Sequence, residues 1–228
     1  MTNREEQRKG RETAVNAQAA LREKAVTVTG LSKSYSGKKV IENLNLTIRT
    51  GQIYGLLGAN GAGKSTAVEC ILGTRRADSG EVRILGMDPV TERRHLFEQV
   101  GVQFQEASYP DRIKVRELCE ETACLYEKTA DYRDLLRQFK LEDKADSMLS
   151  QLSGGQKQRL SLARALADNP SILIMDDTTS AVDMETEAEI QKHLKEMDGG
   201  KTIVAIAHRI SSVKDSDQIG RASCRERV

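Results

Sequence analysis

The most informative segment of this chain is Gly58-Ala59-Asn60-Gly61-Ala62-Gly63-Lys64-Ser65-Thr66. It follows an apolar run at residues 53–57 and precedes apolar residues at helical spacing, so the sequence predicts a strand, a glycine-rich turn and a helix. Glycine has no Cβ atom, and the backbone of such a turn can point several N–H groups at an anion beside the positive end of the helix. The stretch therefore predicts a cradle for phosphate.

Lys64 and Ser65 give this loop its chemistry. We expect the Lys64 ammonium to reach the β- and γ-phosphates of a nucleotide and the Ser65 hydroxyl to bind Mg²⁺. The residues predicted to bind the nucleotide here are Gly58, Asn60, Gly61, Ala62, Gly63, Lys64, Ser65 and Thr66. The alternative is a flexible loop with an accidental Lys-Ser pair, a pattern that average residue usage produces in on the order of 1% of chains this long.

The composition restricts the class of protein. The 228 residues suffice for one α/β domain with a buried core, and 35 Lys and Arg nearly balance 34 Asp and Glu, so we expect no nucleic-acid partner. No apolar run approaches the roughly 18 residues that would cross a bilayer. The four cysteines have no C-x-x-C spacing, which indicates reduced thiols. We therefore expect a cytoplasmic chain that is soluble by itself.

The spacing of apolar residues predicts the order of the first elements. After a charged extension at residues 1–24, residues 25–29 and 44–48 alternate like half-buried strands, and Tyr35 is predicted to lie on the loop between them. Its ring there either stacks on an adenine or packs against the protein. Further strands are predicted at residues 81–85 and 100–104, with a helix between them at residues 91–98.

Helical spacing dominates between about residues 106 and 165. Apolar residues recur at helical periods after residue 115, with a predicted cap at Asp131, and a block of about three helices interrupts the alternation of strands and helices. Continuous apolar strands follow at residues 171–176 and 202–208, as expected of a parallel sheet buried on both faces. The pattern predicts a helical subdomain inserted into an α/β domain.

Asp176 and Asp177 stand at the end of the first of these apolar strands. The carboxyl ends of strands are where an open α/β sheet places its ligand chemistry. Asp176 fits an acid that holds Mg²⁺ opposite Ser65, and Asp177 fits a residue that orients an attacking water. Acids beside apolar strands are also common as caps, so this pair alone is a weak indication of a metal site. A further motif strengthens it.

That motif is a second glycine-rich helix start, Leu152-Ser153-Gly154-Gly155-Gln156. Together with the phosphate loop and the paired acids, it resembles the ATP-binding subunits of ABC transporters over roughly residues 25–218. The resemblance implies an α/β fold with a P-loop NTPase core and a mostly parallel sheet, an N-terminal antiparallel β region and an inserted α-helical subdomain, within a cassette at residues 25–219. It also implies that the chain binds ATP and Mg²⁺ and hydrolyses ATP.

The same resemblance implies how subunits cooperate. Two ATP-binding subunits, identical or different, are expected to meet head to tail, so that one subunit binds the nucleotide held by its partner's phosphate loop. The residues that would do so are Ser153, Gly154, Gly155 and Gln156. Closure of this dimer would drive a separate integral membrane permease, with the ATPase lying peripherally on the inner face of the cell membrane.

Other positions receive roles only through the resemblance. Gln105 matches the glutamine that senses Mg²⁺ and the γ-phosphate, and His208 matches the histidine that contacts the γ-phosphate. Asp183 matches an acid exchanged across the dimer and also fits the cap of the following helix. The predicted catalytic residues are Lys64, Gln105, Asp177 and His208, and the predicted metal ligands are Ser65, Gln105 and Asp176.

The chain departs from the family pattern at Asp177, where active members usually have glutamate. The aspartate carboxylate is withdrawn by roughly 1.5 Å, the length of one C–C bond. A misplacement of that size can lower a rate on the order of 100-fold. We therefore expect ATP to be bound well and hydrolysed slowly.

Several alternatives stay open from the sequence. The chain up to about residue 170 resembles stand-alone exporter ATPases, whereas residues 176–183 and 207–210 resemble exporters with fused membrane and ATPase domains, so it is either a natural variant or a joined sequence. Residues 220–228 are predicted to be a non-native tail, the alternative being a solvated native one. We favour an exporter subunit over an ATPase of ribosome- or DNA-associated machinery and over a regulatory partner with slow turnover.

Overall fold

The structure, a computed structural model, describes residues 24–59, 61–104, 112–176, 201–207 and 216–221. Within these ranges, helices surround two β-sheets, which confirms the predicted fold class. No helix in the described ranges is both long and apolar enough to cross a membrane. Most of the predicted N-terminal extension and of the predicted tail lie outside the described residues.

The first sheet is antiparallel and has three strands in the order β2-β1-β4. Its strands are β1 (Lys24–Tyr35), β2 (Lys38–Arg49) and β4 (Ser79–Ile84). The strands predicted at residues 25–29 and 44–48 are parts of longer strands, and the predicted N-terminal antiparallel region is confirmed. Strand β4 follows the phosphate loop in the chain, yet it pairs with β1.

The prediction that Tyr35 lies on a loop is wrong, because Tyr35 is the last residue of β1 and pairs with Lys38. The turn between β1 and β2 consists only of Ser36 and Gly37, whose φ angles are 47° and 81°. A two-residue turn with positive φ at both positions matches the twist of the flanking strands, so pairing continues up to the turn. Strand pairing therefore holds the backbone of Tyr35.

The second sheet is parallel and has the order β5-β6-β7-β3-β8. Its strands are β3 (Ile53–Leu57), β5 (Val100–Gln103), β6 (Ile172–Asp176), β7 (Thr202–Ala207) and β8 (Gln218–Arg221). Strand β8 pairs with β3 at the edge of the sheet and continues past the domain boundary that we predicted at residue 219. Because the paired strands run in one direction, their carboxyl ends lie along one edge of the sheet.

The helices follow the predicted order. They are α1 (Lys64–Ile71), α2 (Arg93–Phe97), α3 (Val115–Ala123), α4 (Tyr132–Gln138) and α5 (Gly154–Ala165). Helices α3, α4 and α5 lie between β5 and β6 in the chain, which confirms the inserted helical block. Asp131 caps α4 as predicted, because its carboxylate accepts a hydrogen bond from the backbone N–H of Arg133 at 2.9 Å.

Strand β6 divides the apolar core into two layers. Its residues are all buried, and Ile172 and Ile174 pack with α1 and the antiparallel sheet, whereas Leu173 and Met175 pack with α3, α4 and α5. This division follows from the pleat, because successive side chains of a strand point to opposite faces. The parallel sheet therefore carries the phosphate-loop helix on one face and the inserted helices on the other.

Candidate functional site

The phosphate loop joins the end of β3 to the start of α1. Gly63 is the N-cap of α1, with a φ of 83°, and a Cβ atom there would lie 3.0 Å from the carbonyl oxygen of Val40. Gly61 has a φ of 77°, a conformation that residues with side chains rarely adopt. Glycine at these two positions lets the chain enter α1 sharply and leaves the first N–H groups of the helix available to an anion. Asn60 lies outside the described residues.

The Lys64 side chain folds back over this loop. Its Nζ atom donates hydrogen bonds to the carbonyl oxygens of Gly58 and Ala59 at 2.8 and 2.9 Å. Only 5% of the residue is exposed. A largely buried cation is weakly screened by water, so it acts strongly on an anion bound beside it. The predicted phosphate-binding lysine thus lies within the predicted phosphate cradle.

Ser65 and Asp176 meet although 111 residues separate them in the chain. The Ser65 hydroxyl donates a hydrogen bond to the Asp176 carboxylate at 3.2 Å. This contact arises because β3 and β6 end at the same edge of the sheet, and it keeps Asp176 beside the start of α1, with 5% of the residue exposed.

The oxygen atoms of Ser65 and Asp176 fit Mg²⁺, which prefers hard oxygen ligands. No group of three or more His, Cys, Asp or Glu within the described ranges could hold a metal by itself. Proteins commonly bind Mg²⁺ with one or two oxygen ligands and complete the shell with nucleotide phosphates and water. The pair is therefore suited to a metal that arrives with a nucleotide.

Two cationic side chains, each paired with an acid, lie near the Tyr35 ring. The Lys33 Nζ is 5.5 Å and the Arg75 Cζ 5.6 Å from the centre of the Tyr35 ring. Lys33 forms an ion pair with Asp78 at 2.8 Å, and its hydrogen bond to Asp78 lowers the pKa of that carboxyl. Arg75 is hydrogen-bonded to Glu69 of α1, and this bond raises the pKa of Arg75. Tyr35 is thereby linked to the helix that begins at the phosphate loop.

Ser153 and Gln156 cap the start of α5. The Ser153 hydroxyl oxygen accepts a hydrogen bond from the Gln156 N–H at 3.2 Å, and the Gln156 side chain accepts one from the Ser153 N–H at 2.9 Å. A hydroxyl that accepts from the backbone still has its own proton to donate. Ser153 and Gly154 are exposed, so this helix start faces outward and can meet an anion held by another molecule.

The structure brings the predicted phosphate-loop residues and Asp176 together, but it does not join them to the start of α5. Lys64, Ser65 and Asp176 lie together at the edge of the parallel sheet, whereas the hydrogen bonds of Ser153 and Gln156 stay within the start of α5. Four other predicted site residues, besides Asn60, lie outside the described residues: Gln105, Asp177, Asp183 and His208.

Three side chains around these elements were not predicted from the sequence. Lys33 and Arg75 lie near the Tyr35 ring, and no local pattern indicates that these cations meet one aromatic ring. Gln103, in β5, is 1% exposed and bonded to Gln158 of α5. A polar residue within the short apolar strand Val100–Gln103 is a signal that could have marked it.

A glycine-rich loop holding a lysine, an adjacent pair of oxygen ligands and an open parallel sheet together define a protein that binds a nucleoside triphosphate. The family model described as ABC transporter matches residues 41–180. The chain belongs to the ABC transporter family, and the part that it carries is the ATP-binding cassette.

Relatives named for both directions of transport match the chain. A methionine import ATP-binding protein from Rhizobium johnstonii is 37% identical over 89% of this chain and 59% of its own length. A Nod factor export ATP-binding protein from Burkholderia thailandensis is 37% identical over 78% of this chain and 60% of its own length. The chain thus spans about three fifths of these two curated relatives.

Solved structures of ATP-binding cassettes match most of the chain. The dimeric post-hydrolysis state of the ATP-binding cassette MJ0796, bound to ADP and phosphate, has a TM-score of 0.78 and 28% identity, covering 87% of this chain and 94% of that chain. The helical insertion and both sheets therefore belong to a cassette architecture that is known in a dimeric, nucleotide-bound form.

Proposed function

We propose that this chain binds and hydrolyses ATP as a subunit of an ABC transporter and drives a separate membrane permease by closing a dimer of ATP-binding subunits. The observation that carries the proposal is the contact at 3.2 Å between Ser65 and Asp176, directly beside the buried Lys64. Membership of the ABC transporter family supports ATP as the nucleotide.

The residues of the phosphate loop would bind and orient the triphosphate. Lys64 would exchange its contacts with the Gly58 and Ala59 carbonyls for phosphate oxygens, and the N–H groups at the start of α1 would bind further oxygens. Ser65 and Asp176 would hold Mg²⁺, which neutralises charge on the phosphates. Asp177 would orient the attacking water, with Gln105 and His208 contacting the γ-phosphate end.

The second half of each site would come from another subunit. One chain carries both the phosphate loop and the capped start of α5, so two copies present complementary surfaces when related by a two-fold axis. The Ser153 hydroxyl keeps its proton for a phosphate oxygen of the partner's nucleotide. Asp183 would cross the same interface. The likeness to a cassette determined as a dimer with ADP and phosphate supports this arrangement.

Crosslinking tests the proposed dimer. Ala59→Cys in one copy and Ser153→Cys in another should be joined by a short bismaleimide when MgATP is present. Burial raises the pKa of the native Cys70 thiol, and that of Cys119 to about 11, so these two should not react. Cys124, which is exposed, and Cys224, which lies outside the described residues, are replaced by serine in the background. The control adds MgADP instead of MgATP. A yield that MgATP does not change contradicts the proposal.

The short carboxylate of Asp177 should limit the rate of hydrolysis. We expect Asp177→Glu to raise ATP turnover on the order of 100-fold, because the longer side chain brings the carboxylate nearer to the water. Release of phosphate at saturating ATP measures the change, and Asp177→Asn should lower turnover further. An unchanged rate in Asp177→Glu would refute the explanation by carboxylate length and favour a regulatory partner with slow turnover.

We further propose that the permease is an integral membrane exporter and that this chain lies peripherally on the inner face of the cell membrane. This direction rests on the motifs that resemble exporter ATPases, since relatives named for import and for export are both 37% identical to the chain. Co-purification with a membrane protein, followed by transport into inverted vesicles, measures the direction.

A further inference from the structure

Strand β5 ends in a buried amide. Gln103 is 1% exposed, and its Nε2 atom donates a hydrogen bond to the Gln158 side-chain oxygen of α5 at 2.7 Å. Its own Oε1 atom has no hydrogen-bond partner among the described residues. Burying an amide costs free energy that an apolar side chain of similar size would not cost. A glutamine that only filled space at this position would therefore lower the stability of the fold relative to an apolar residue of similar size.

Gln103 lies in a close contact between β5 and α5. Gly101 is two residues earlier and shares its face of the strand, and a Cβ atom at Gly101 would lie only 2.0 Å from the Ala165 carbonyl oxygen at the end of α5. Gln158 and Ala165 are about two helical turns apart. Two separated contacts fix the direction of a helix, whereas one contact would let it pivot.

The start of α5 carries the residues proposed to face the partner's nucleotide. Ser153 precedes Gln158 by five residues, which corresponds to roughly 7.5 Å along a helix axis. A pivot at the Gly101 contact would displace Ser153 more than any other part of the helix. Of the two contacts, the hydrogen bond between Gln103 and Gln158 is the one nearer to Ser153. Gln103 itself precedes Gln105 by two residues in the chain.

We propose that Gln103 is a positioning residue whose hydrogen bond to Gln158 holds α5 at the angle that presents Ser153 to the nucleotide of the partner subunit. This inference rests on the dimer proposed above. Gln103 does not touch the nucleotide of its own subunit in this scheme. Its removal should therefore affect assembly around ATP and leave the first binding step unchanged.

Gln103→Leu tests the proposal, because leucine keeps the buried volume and removes the hydrogen bond. We expect dimerisation at saturating MgATP, measured by sedimentation, to weaken about tenfold. Binding of MgATP to the monomer, measured by calorimetry at low protein concentration, should stay within about twofold. The melting temperature should not fall, because the change also removes an amide that is costly to bury.

A double-mutant cycle assigns the effect to the hydrogen bond. Gln158→Leu should weaken dimerisation by a similar factor, and the double variant should be no weaker than either single variant, because both remove the same contact. Gln138→Leu is the matched control, since Gln138 is an exposed glutamine in the inserted helices. It should dimerise like the unchanged chain.

Three results would overturn the proposal. If Gln103→Leu lowers MgATP binding, dimerisation and melting temperature together, the residue has only a structural role. If it dimerises like the unchanged chain, the hydrogen bond does not position Ser153, and the proposed function stands. If the unchanged chain binds MgATP but never dimerises, the dimer itself is wrong and the role of Gln103 falls with it.

Discussion

Lys64→Met is expected to weaken MgATP binding on the order of 100-fold, because the largely buried lysine side chain would place its positive charge directly against phosphate. Methionine preserves most of the aliphatic stem that packs in the loop, so the fold should survive. Calorimetric titration with MgATP measures the loss, and titration with magnesium tripolyphosphate should show a similar one, since the lysine is proposed to contact phosphate and not the base.

Lys128→Met is the control for this change, because Lys128 is exposed and lies outside the phosphate loop. Its MgATP affinity should equal that of the unchanged chain. Circular dichroism and melting temperature establish that Lys64→Met is folded. If a folded Lys64→Met binds MgATP within about twofold of the unchanged chain, the lysine does not contact the phosphates and the proposed site is wrong.

Gly101→Ala is expected to lower the free energy of unfolding by about 3 kcal/mol or more, because the added methyl group overpacks the contact between β5 and α5. The new Cβ atom would lie 2.0 Å from the Ala165 carbonyl oxygen and 2.9 Å from the Pro170 ring. The oxygen belongs to the backbone, so the clash can be removed only if α5 moves away from the sheet. Urea unfolding followed by circular dichroism measures the change.

Gly86→Ala separates crowding from the general effect of replacing a glycine. Gly86 has a φ of 79°, and a Cβ atom there would meet nothing within 4 Å. Only backbone strain remains, and it should cost about 1 kcal/mol. If the two variants unfold with equal free energies, the approach of β5 to α5 is looser than the contact at Gly101 indicates.

The sequence was sufficient where local pattern controls structure. The glycines, Lys64 and Ser65 lie within one turn and one helix start, so their spacing alone predicts the phosphate loop. The continuous apolar run at residues 171–176 likewise predicts a strand buried on both faces, and in the structure β6 is buried between β5 and β7 in the parallel sheet. Asp176 could therefore be assigned to the edge where Ser65 also lies.

Contacts between segments that are distant in the chain could not be predicted from the sequence. The alternation in strand β4 is the same whichever sheet it joins, and its pairing with β1 depends on the route of the whole chain. Gln103 and Gln158 are 55 residues apart, and their meeting depends on how α5 packs on β5. Tyr35 was misplaced because strand pairing continues through Tyr35, and the positive φ angles of Ser36 and Gly37 decide where β1 ends.

The alternation of side chains along β6 has a consequence for how such a chain can evolve. Ile172 and Ile174 support the layer of α1, whereas Leu173 and Met175 support the layer of α5. Substitutions at the first pair would therefore disturb the phosphate loop, and substitutions at the second pair would disturb the helix start that we propose to face a second subunit. Substitutions at neighbouring residues of one short strand can therefore change the α1 layer and the α5 layer separately.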